Sequence, residues 1–301
     1  MFGRQTEPEI QIGRFFTFLL CIIGLSLVGV FTIKLLSSSL KIAFTDFLLL
    51  ASGIAFTRIG IKYNFSKFIF SEGGQQRVNF LFFNIGLILS GLLIVLKIFA
   101  GATSSYRRSL EEGGIVEWAS FLLLILSAYI LFWCARLVRP LSLKIIYYTL
   151  SAFSFVIGME EMSWGQILFR WKTPAQISII NTQSETNLHN IQFVHGHADL
   201  AYGTILVVII AVSLSVDSLV RPRSKSFISN ILSYVAPSKL LIVYFAPACA
   251  LILFLYFDMH EYSYSFTFKG EEEVAEMLGA LGLLGYSISQ VSQFSRLARK
   301  A

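Results

Sequence analysis

Residues 115–137 read IVEWASFLLLILSAYILFWCARL, and this stretch decides the fold class. Its only charged residues are Glu117 near the start and Arg136 near the end. A bilayer core is crossed by about 20 apolar residues in a helix, and only helices or closed barrels satisfy every backbone group in lipid. The run is continuously apolar and lacks the alternation of a barrel strand. The stretch therefore predicts a membrane-spanning helix.

The rest of the chain has the same character. Of its 301 residues, 55% are hydrophobic and only 14% are charged, and the mean hydropathy is +0.69. These values exclude an ordinary soluble globular protein. We predict an all-α fold, a single polytopic bundle of transmembrane helices with about eight spans. The predicted spans, with ends uncertain by a few residues, are 15–35, 43–59, 78–100, 115–137, 145–168, 200–220, 240–257 and 273–292.

The basic residues indicate the orientation. With the N-terminus inside, about two thirds of the 24 Lys and Arg residues fall in cytoplasmic loops, as the positive-inside rule requires. We therefore predict a multi-pass protein of the bacterial cytoplasmic (inner) membrane with both termini in the cytoplasm. Insertion accounts for the net charge of +6, so no nucleic-acid partner is expected.

The acidic residues have the opposite distribution. Most of the 18 Asp and Glu residues and all four histidines fall at or near the outer face in this topology. The positive-inside rule does not require this, because acidic residues contribute little to it. We predict a functional surface on the periplasmic side. The alternative is that loops must be polar and these happen to be acidic.

The strongest local signal is GMEEMSWGQ at residues 158–166. Each of two adjacent carboxylates in an apolar helix costs about 2.5–3.5 kcal/mol at the helix centre and less near its end. Glu160 and Glu161 point about 100° apart on a helix, so each is expected to have a different partner. The indole of Trp164 is placed to donate to one of them. The alternative is an interfacial tryptophan beside two solvated glutamates.

A Thr-Pro step at Thr173-Pro174 and a block from Gln183 to Asn190 follow. The pattern Glu-Glu-x-Ser-Trp-Gly-Gln, Thr-Pro, Gln-x-Glu-x-Asn-Leu-His-Asn resembles an uncharacterised family of bacterial multi-pass membrane proteins. The likeness extends to Glu117-Trp118 and to the run 273–276. It implies a multi-pass membrane fold and supports the location of a site, but it supplies no activity.

The histidines of the sequence suggest a metal-binding site. His195 and His197 form an H-x-H pair that can place two imidazoles on one ion, and His189 or His260 would complete a three-histidine site of the kind that binds zinc. The candidate metal ligands are therefore His189, His195, His197 and His260. The alternative is a surface loop whose histidines bind no metal.

The last span opens with further acids. Glu272 and Glu273 suit the positive end of the helix dipole, whereas Glu276 lies deeper. Glycines at positions 279, 282 and 285 form a small-residue face that permits close helix packing. Glu276 is therefore expected near Glu117 and near Glu160 or Glu161.

These patterns favour a membrane enzyme with a divalent metal such as zinc as its possible cofactor. It would hydrolyse or transfer a group on a lipid-linked substrate, with the bilayer as its other partner. One alternative is a proton- or cation-coupled transporter; another is a non-catalytic assembly subunit. A translocation path needs polar residues on the inner half, where only Asn84, Arg58 and Ser151 stand out. The candidate catalytic residues are Glu117, Glu160, Glu161, His189 and Glu276, and the candidate substrate-binding residues are Trp164, Gln166, Glu185, Asn187 and Glu273.

Overall fold

A computed structural model describes residues 73–100, 113–181, 184–188, 190–219, 227–256 and 271–300, with single positions at 25, 54, 69 and 110. Within these ranges the regular secondary structure is helical, and one isolated bridge joins Asn181 to Ile191. The all-α prediction is therefore confirmed for the described part. The predicted spans 15–35 and 43–59 lie outside it, apart from the single positions 25 and 54.

Nine α-helices are described. Two of them are short pieces of the segment that joins two long helices. The bounds are α1 Gly74–Ala100, α2 Ile115–Leu137, α3 Leu141–Glu161, α4 Gln166–Phe169, α5 Ala175–Ile180, α6 Gln192–Leu219, α7 Phe227–Val235, α8 Ile242–Tyr256 and α9 Glu272–Lys300, with 3-10 turns at Ser163–Gly165 and Lys239–Leu241.

Five of the described helices are long and apolar enough to cross a membrane, which makes this a multi-pass membrane protein. They match the predicted spans 78–100, 115–137, 145–168, 240–257 and 273–292. The apolar part of α6, Leu200–Val216, is shorter. The candidate spans are Gly74–Leu93, Ile115–Leu137, Leu141–Glu161, Lys239–Tyr256 and Glu272–Ser295.

The fifth predicted span has different bounds in the structure. It was expected over 145–168, whereas α3 begins at Leu141 and ends at Glu161. Ser163, Trp164 and Gly165 have φ angles of 45°, 56° and 95°. Left-handed backbone at successive residues cannot continue a right-handed helix. The helix therefore ends beside its second glutamate, and a turn begins there.

The chain divides into two compact units, one of Met1–Arg77 with Ser295–Ala301 and one of Val78–Phe294. All contacts described below lie within the second. Its α9 is largely buried, and three glycines on it receive aromatic rings. A Cβ on Gly282 would lie 2.5 Å from the Phe245 ring, and one on Gly285 would lie 2.7 Å from Phe82. The predicted close packing at this glycine face is confirmed.

Helix α3 packs against α2 through polar contacts. The Ser154 hydroxyl donates to the Leu124 carbonyl at 2.8 Å, and the Ser151 hydroxyl donates to Ala128 at 2.7 Å. A Cβ on Gly158 would lie 3.2 Å from the Leu124 side chain, which shows how closely the two helices approach. These contacts fix the end of α3, and with it Glu161.

Candidate functional site

Three carboxylates converge where α3 ends and α9 begins. Glu161, Glu273 and Glu276 each offer one oxygen, and these oxygens all lie within 4.8 Å of one another. Glu161 is buried and the other two are half-buried. We call these three residues the carboxylate trio. Like charges this close repel unless a proton or a cation lies between them.

The surroundings of the trio add a fourth acid and a tyrosine. Glu117 on α2 lies near enough to Glu161 to act on it electrostatically. Glu117 is itself buried and accepts from the Gly113 N–H. The Tyr202 hydroxyl donates to the Ala275 carbonyl at 3.2 Å. The predicted approach of Glu276 to Glu161 is therefore confirmed, whereas its approach to Glu117 stays a prediction, and Tyr202 was not anticipated.

Glu160 has different partners from its neighbour Glu161. Its carboxylate accepts from the Trp164 indole N–H and from the Leu188 backbone N–H, the latter at 2.6 Å. The two adjacent glutamates therefore diverge, as helix geometry predicts. Glu160 joins the end of α3 to the loop before α6, and it is not one of the three carboxylates that converge.

The two motif blocks recognised in the sequence form one hydrogen-bonded unit. The Ser163 hydroxyl donates to Glu185 at 2.5 Å, and the Asn187 amide donates to Glu185 at 2.6 Å and to Ser163 at 3.1 Å. Gln166 accepts from the Thr186 backbone N–H at 2.8 Å. The polar side chains of the two blocks therefore bond one another.

The Thr-Pro step belongs to the same unit. Gln166 donates to the Thr173 hydroxyl at 2.9 Å, and Thr173 donates to the Ser184 carbonyl at 2.5 Å. Asn181 donates to the Asn187 carbonyl at 2.9 Å. The side chains of Gln166, Glu185 and Asn187 thus bond within the protein. A role for them in binding substrate stays a prediction.

In the described part of the chain, no histidine is grouped with the carboxylates of the trio. His189 and His260 lie outside the described residues, as does the side chain of His195. His197 is exposed, and its Nδ1 lies 3.1 Å from the Phe193 carbonyl oxygen. The three-histidine metal site therefore stays a prediction, and the groups that converge are carboxylates.

A second polar cluster lies on the same two helices. The Tyr147 hydroxyl lies 3.1 Å from the Gln290 amide oxygen and donates to the Tyr234 carbonyl at 2.8 Å. The Tyr286 hydroxyl donates to Val235 at 2.9 Å. We call Tyr147, Tyr286 and Gln290 the tyrosine cluster. This cluster was not predicted from the sequence. Tyr147 lies fourteen residues before Glu161 on α3, and Gln290 lies fourteen residues after Glu276 on α9.

Comparison with known proteins adds no assignment: no family model matches the chain, and neither the curated proteins nor the solved structures contain a match. The resemblance to the uncharacterised bacterial family stays a prediction.

Proposed function

We propose that this multi-pass membrane protein is an enzyme of the bacterial inner membrane. In this proposal the carboxylate trio holds a divalent cation at the periplasmic end of the bundle, and the enzyme hydrolyses or transfers a group on a lipid-linked substrate. The observation that carries the proposal is the convergence of Glu161, Glu273 and Glu276 within 4.8 Å.

The ligand type favours a hard cation. Carboxylate oxygens suit Mg²⁺, Mn²⁺ and Ca²⁺, whereas structural zinc prefers nitrogen and sulfur ligands. The sequence suggested zinc on histidines, and the oxygen ligands of the trio shift the preferred ion to Mg²⁺ or Mn²⁺. When bound, such an ion lowers the pKa of a coordinated water or hydroxyl and polarises a phosphoryl or acyl oxygen.

The residues around the trio have distinct roles in this proposal. Glu117 and Glu161 are buried, which disfavours their ionised form, whereas a nearby cation favours it. A bound ion would therefore decide whether these carboxyl groups hold or release a proton. Glu160 holds the loop through Leu188, which places the Gln183–Asn190 block next to the end of α3. His189 lies in that block and remains a candidate general base.

Cation binding tests the proposal directly. Mn²⁺ would be titrated into the purified protein and followed by electron paramagnetic resonance, with Glu276→Gln as the test variant. Glu272→Gln is the matched control, because it removes the same charge one turn earlier on the same helix but leaves the trio intact. We expect near-stoichiometric Mn²⁺ in the wild type and the control, and a loss of at least tenfold in affinity for Glu276→Gln. Equal binding by all three proteins would contradict the proposal.

The topology needs its own test. Ser184 is exposed in the loop between α5 and α6, and Ser224 lies in the basic segment before α7. In intact cells, Ser184→Cys should react with an impermeant maleimide and Ser224→Cys should be protected. The reverse labelling would place the trio at the cytoplasmic end.

A second candidate is a proton- or cation-coupled transporter, and one observation favours it. Sequence reasoning found few polar residues on the inner half, but α9 carries buried Ser287, Ser289 and Gln290 well beyond the trio. Buried polar residues along one helix are a feature of ion pathways.

Cation flux into proteoliposomes separates the two candidates. For a transporter, Gln290→Leu should abolish flux while Mn²⁺ binding at the trio persists. For an enzyme, the wild type should release product from lipid substrates in sealed vesicles without any cation flux.

A further inference from the structure

A short exposed segment beyond the end of α3 combines apolar and basic side chains. Residues 168–172, which we call the aromatic-basic segment, read Leu-Phe-Arg-Trp-Lys. Leu168, Phe169 and Trp171 are 58%, 70% and 42% exposed, and Arg170 and Lys172 are exposed between and after them. Apolar surface of this kind outside a spanning helix marks a place where a partner or a membrane is contacted.

The segment has a defined shape. The Phe169 and Trp171 rings stack with centroids 5.7 Å apart and planes inclined by 11°. Arg170 between them has a left-handed φ of 56°, which ends α4 and lets the two rings come together. Both rings lie 3.3 Å from where a Cβ on Gly165 would be. The stacked pair therefore rests on the backbone of the turn that follows α3.

The segment is also fixed relative to the site. Gln166 precedes it and Thr173 follows it, and the two side chains hydrogen-bond each other at 2.9 Å. Gln166 also accepts from Thr186, and Thr173 donates to Ser184. Leu188, in the same loop as Ser184 and Thr186, donates its backbone N–H to Glu160, the residue before Glu161. The stacked rings are thus joined to the end of α3 at both ends of the segment.

We infer that the aromatic-basic segment seats an anionic phospholipid of the leaflet on the trio's side of the membrane. Aromatic rings favour the depth of the headgroups, and Arg and Lys at an anionic membrane surface attract lipid phosphates. In this arrangement the rings contact the upper acyl chains and the two basic side chains face the phosphate. The identification of this phospholipid as the substrate rests on the proposed function. The binding of an anionic phospholipid at this surface does not depend on that function.

Brominated lipids in nanodiscs test this inference. Bromines on the upper acyl chain quench nearby indoles, and the Trp171 contribution is the difference between wild type and Trp171→Phe. Brominated phosphatidylglycerol and brominated phosphatidylcholine would be compared at the same low mole fraction in a phosphatidylcholine background. We expect phosphatidylglycerol to quench Trp171 several-fold more strongly. The preference should disappear in the double variant Arg170→Gln/Lys172→Gln.

The matched control is Arg139→Gln/Lys144→Gln, which removes two positive charges at the other end of α3. It should retain the preference of the wild type. No quenching of Trp171, or equal quenching by both lipids in the wild type, would overturn the inference. Mn²⁺ titration of Arg170→Gln/Lys172→Gln keeps the two proposals apart, because lipid preference should be lost there while cation affinity stays at the wild-type value.

Discussion

Helices α3 and α9 meet at two polar points that are built in opposite ways. At one, oxygens of Glu161 and Glu276 lie within 4.8 Å of each other; at the other, the Tyr147 hydroxyl lies 3.1 Å from the Gln290 amide oxygen. On both helices the two points are fourteen residues apart, which is about 21 Å along a helix. One antiparallel register therefore aligns both pairs.

The difference lies in what each point needs. At the tyrosine cluster, neutral hydroxyls donate to the carbonyls of Tyr234 and Val235 at the end of α7. Satisfied neutral hydrogen bonds stabilise a buried interface without any further partner. At the trio, carboxylates face one another and need a proton or a cation. One end of the helix pair therefore stabilises the fold, and the other is suited to a ligand.

The largest expected effect is at the tyrosine cluster. Tyr147 is fully buried, and truncating a buried aromatic side chain costs about 3–5 kcal/mol. We expect Tyr147→Ala to lower the free energy of unfolding by this amount, as measured by denaturant titration in detergent. Tyr147→Phe keeps the ring and should cost about 1 kcal/mol. Equal losses in the two variants would show that the ring packing does not stabilise this end.

The next effect is at the trio and has the opposite sign. Glu276→Gln removes a like charge, so in the absence of divalent cations its unfolding free energy should equal or exceed that of the wild type. Mn²⁺ at about 100 times its dissociation constant should stabilise the wild type by about 2.7 kcal/mol. At the same Mn²⁺ concentration, a loss of at least tenfold in affinity limits the stabilisation of Glu276→Gln to about 1.4 kcal/mol or less, whereas Glu272→Gln should respond like the wild type. A cation-free Glu276→Gln protein that is strongly destabilised would make the trio a structural feature.

A smaller effect is expected between the two points, at Gly279. A Cβ there would collide with the Tyr202 hydroxyl. We expect Gly279→Ala to lower the unfolding free energy by about 1–3 kcal/mol. Tyr202→Phe removes the colliding oxygen and should recover part of the loss in the double variant. Gly91→Ala is the control, because nothing lies within 4 Å of its added Cβ. Additive losses in the double variant would exclude this contact as the cause.

Five of the eight predicted spans correspond to described helices that are long and apolar enough to cross a membrane, because length and hydropathy are local properties. The helix 115–137 has the bounds that its apolar run indicates. Glu276 was expected near Glu161 because alternate helix directions bring one end of every span to the same face. This reasoning needs no knowledge of side-chain contacts.

Other features depend on distant parts of the chain. The left-handed turn that ends α3 is held by bonds from Ser163 to Glu185 and from Thr186 to the Ser163 carbonyl. The Tyr147–Gln290 contact joins residues 143 positions apart. No local pattern reveals such pairs, so the end of α3 and the tyrosine cluster were not predicted.

The smallest effect is expected within the acidic end itself, at Glu160. Glu160 and Glu161 are neighbours, but Glu160 accepts from Trp164 and Leu188 and thus resembles the self-contained tyrosine cluster. A glutamine keeps only one acceptor oxygen, but both bonds are exposed, so water can accept from the N–H that is freed. Glu160→Gln should therefore lower the unfolding free energy by about 1 kcal/mol or less and leave Mn²⁺ affinity unchanged. Glu161→Gln should instead reduce Mn²⁺ affinity as Glu276→Gln does. Suppose instead that Glu160→Gln lost Mn²⁺ binding while its melting temperature stayed the same. Glu160 would then belong with the residues that bind the cation, and the separation of Glu160 from the trio, which rests on its hydrogen bonds, would be wrong.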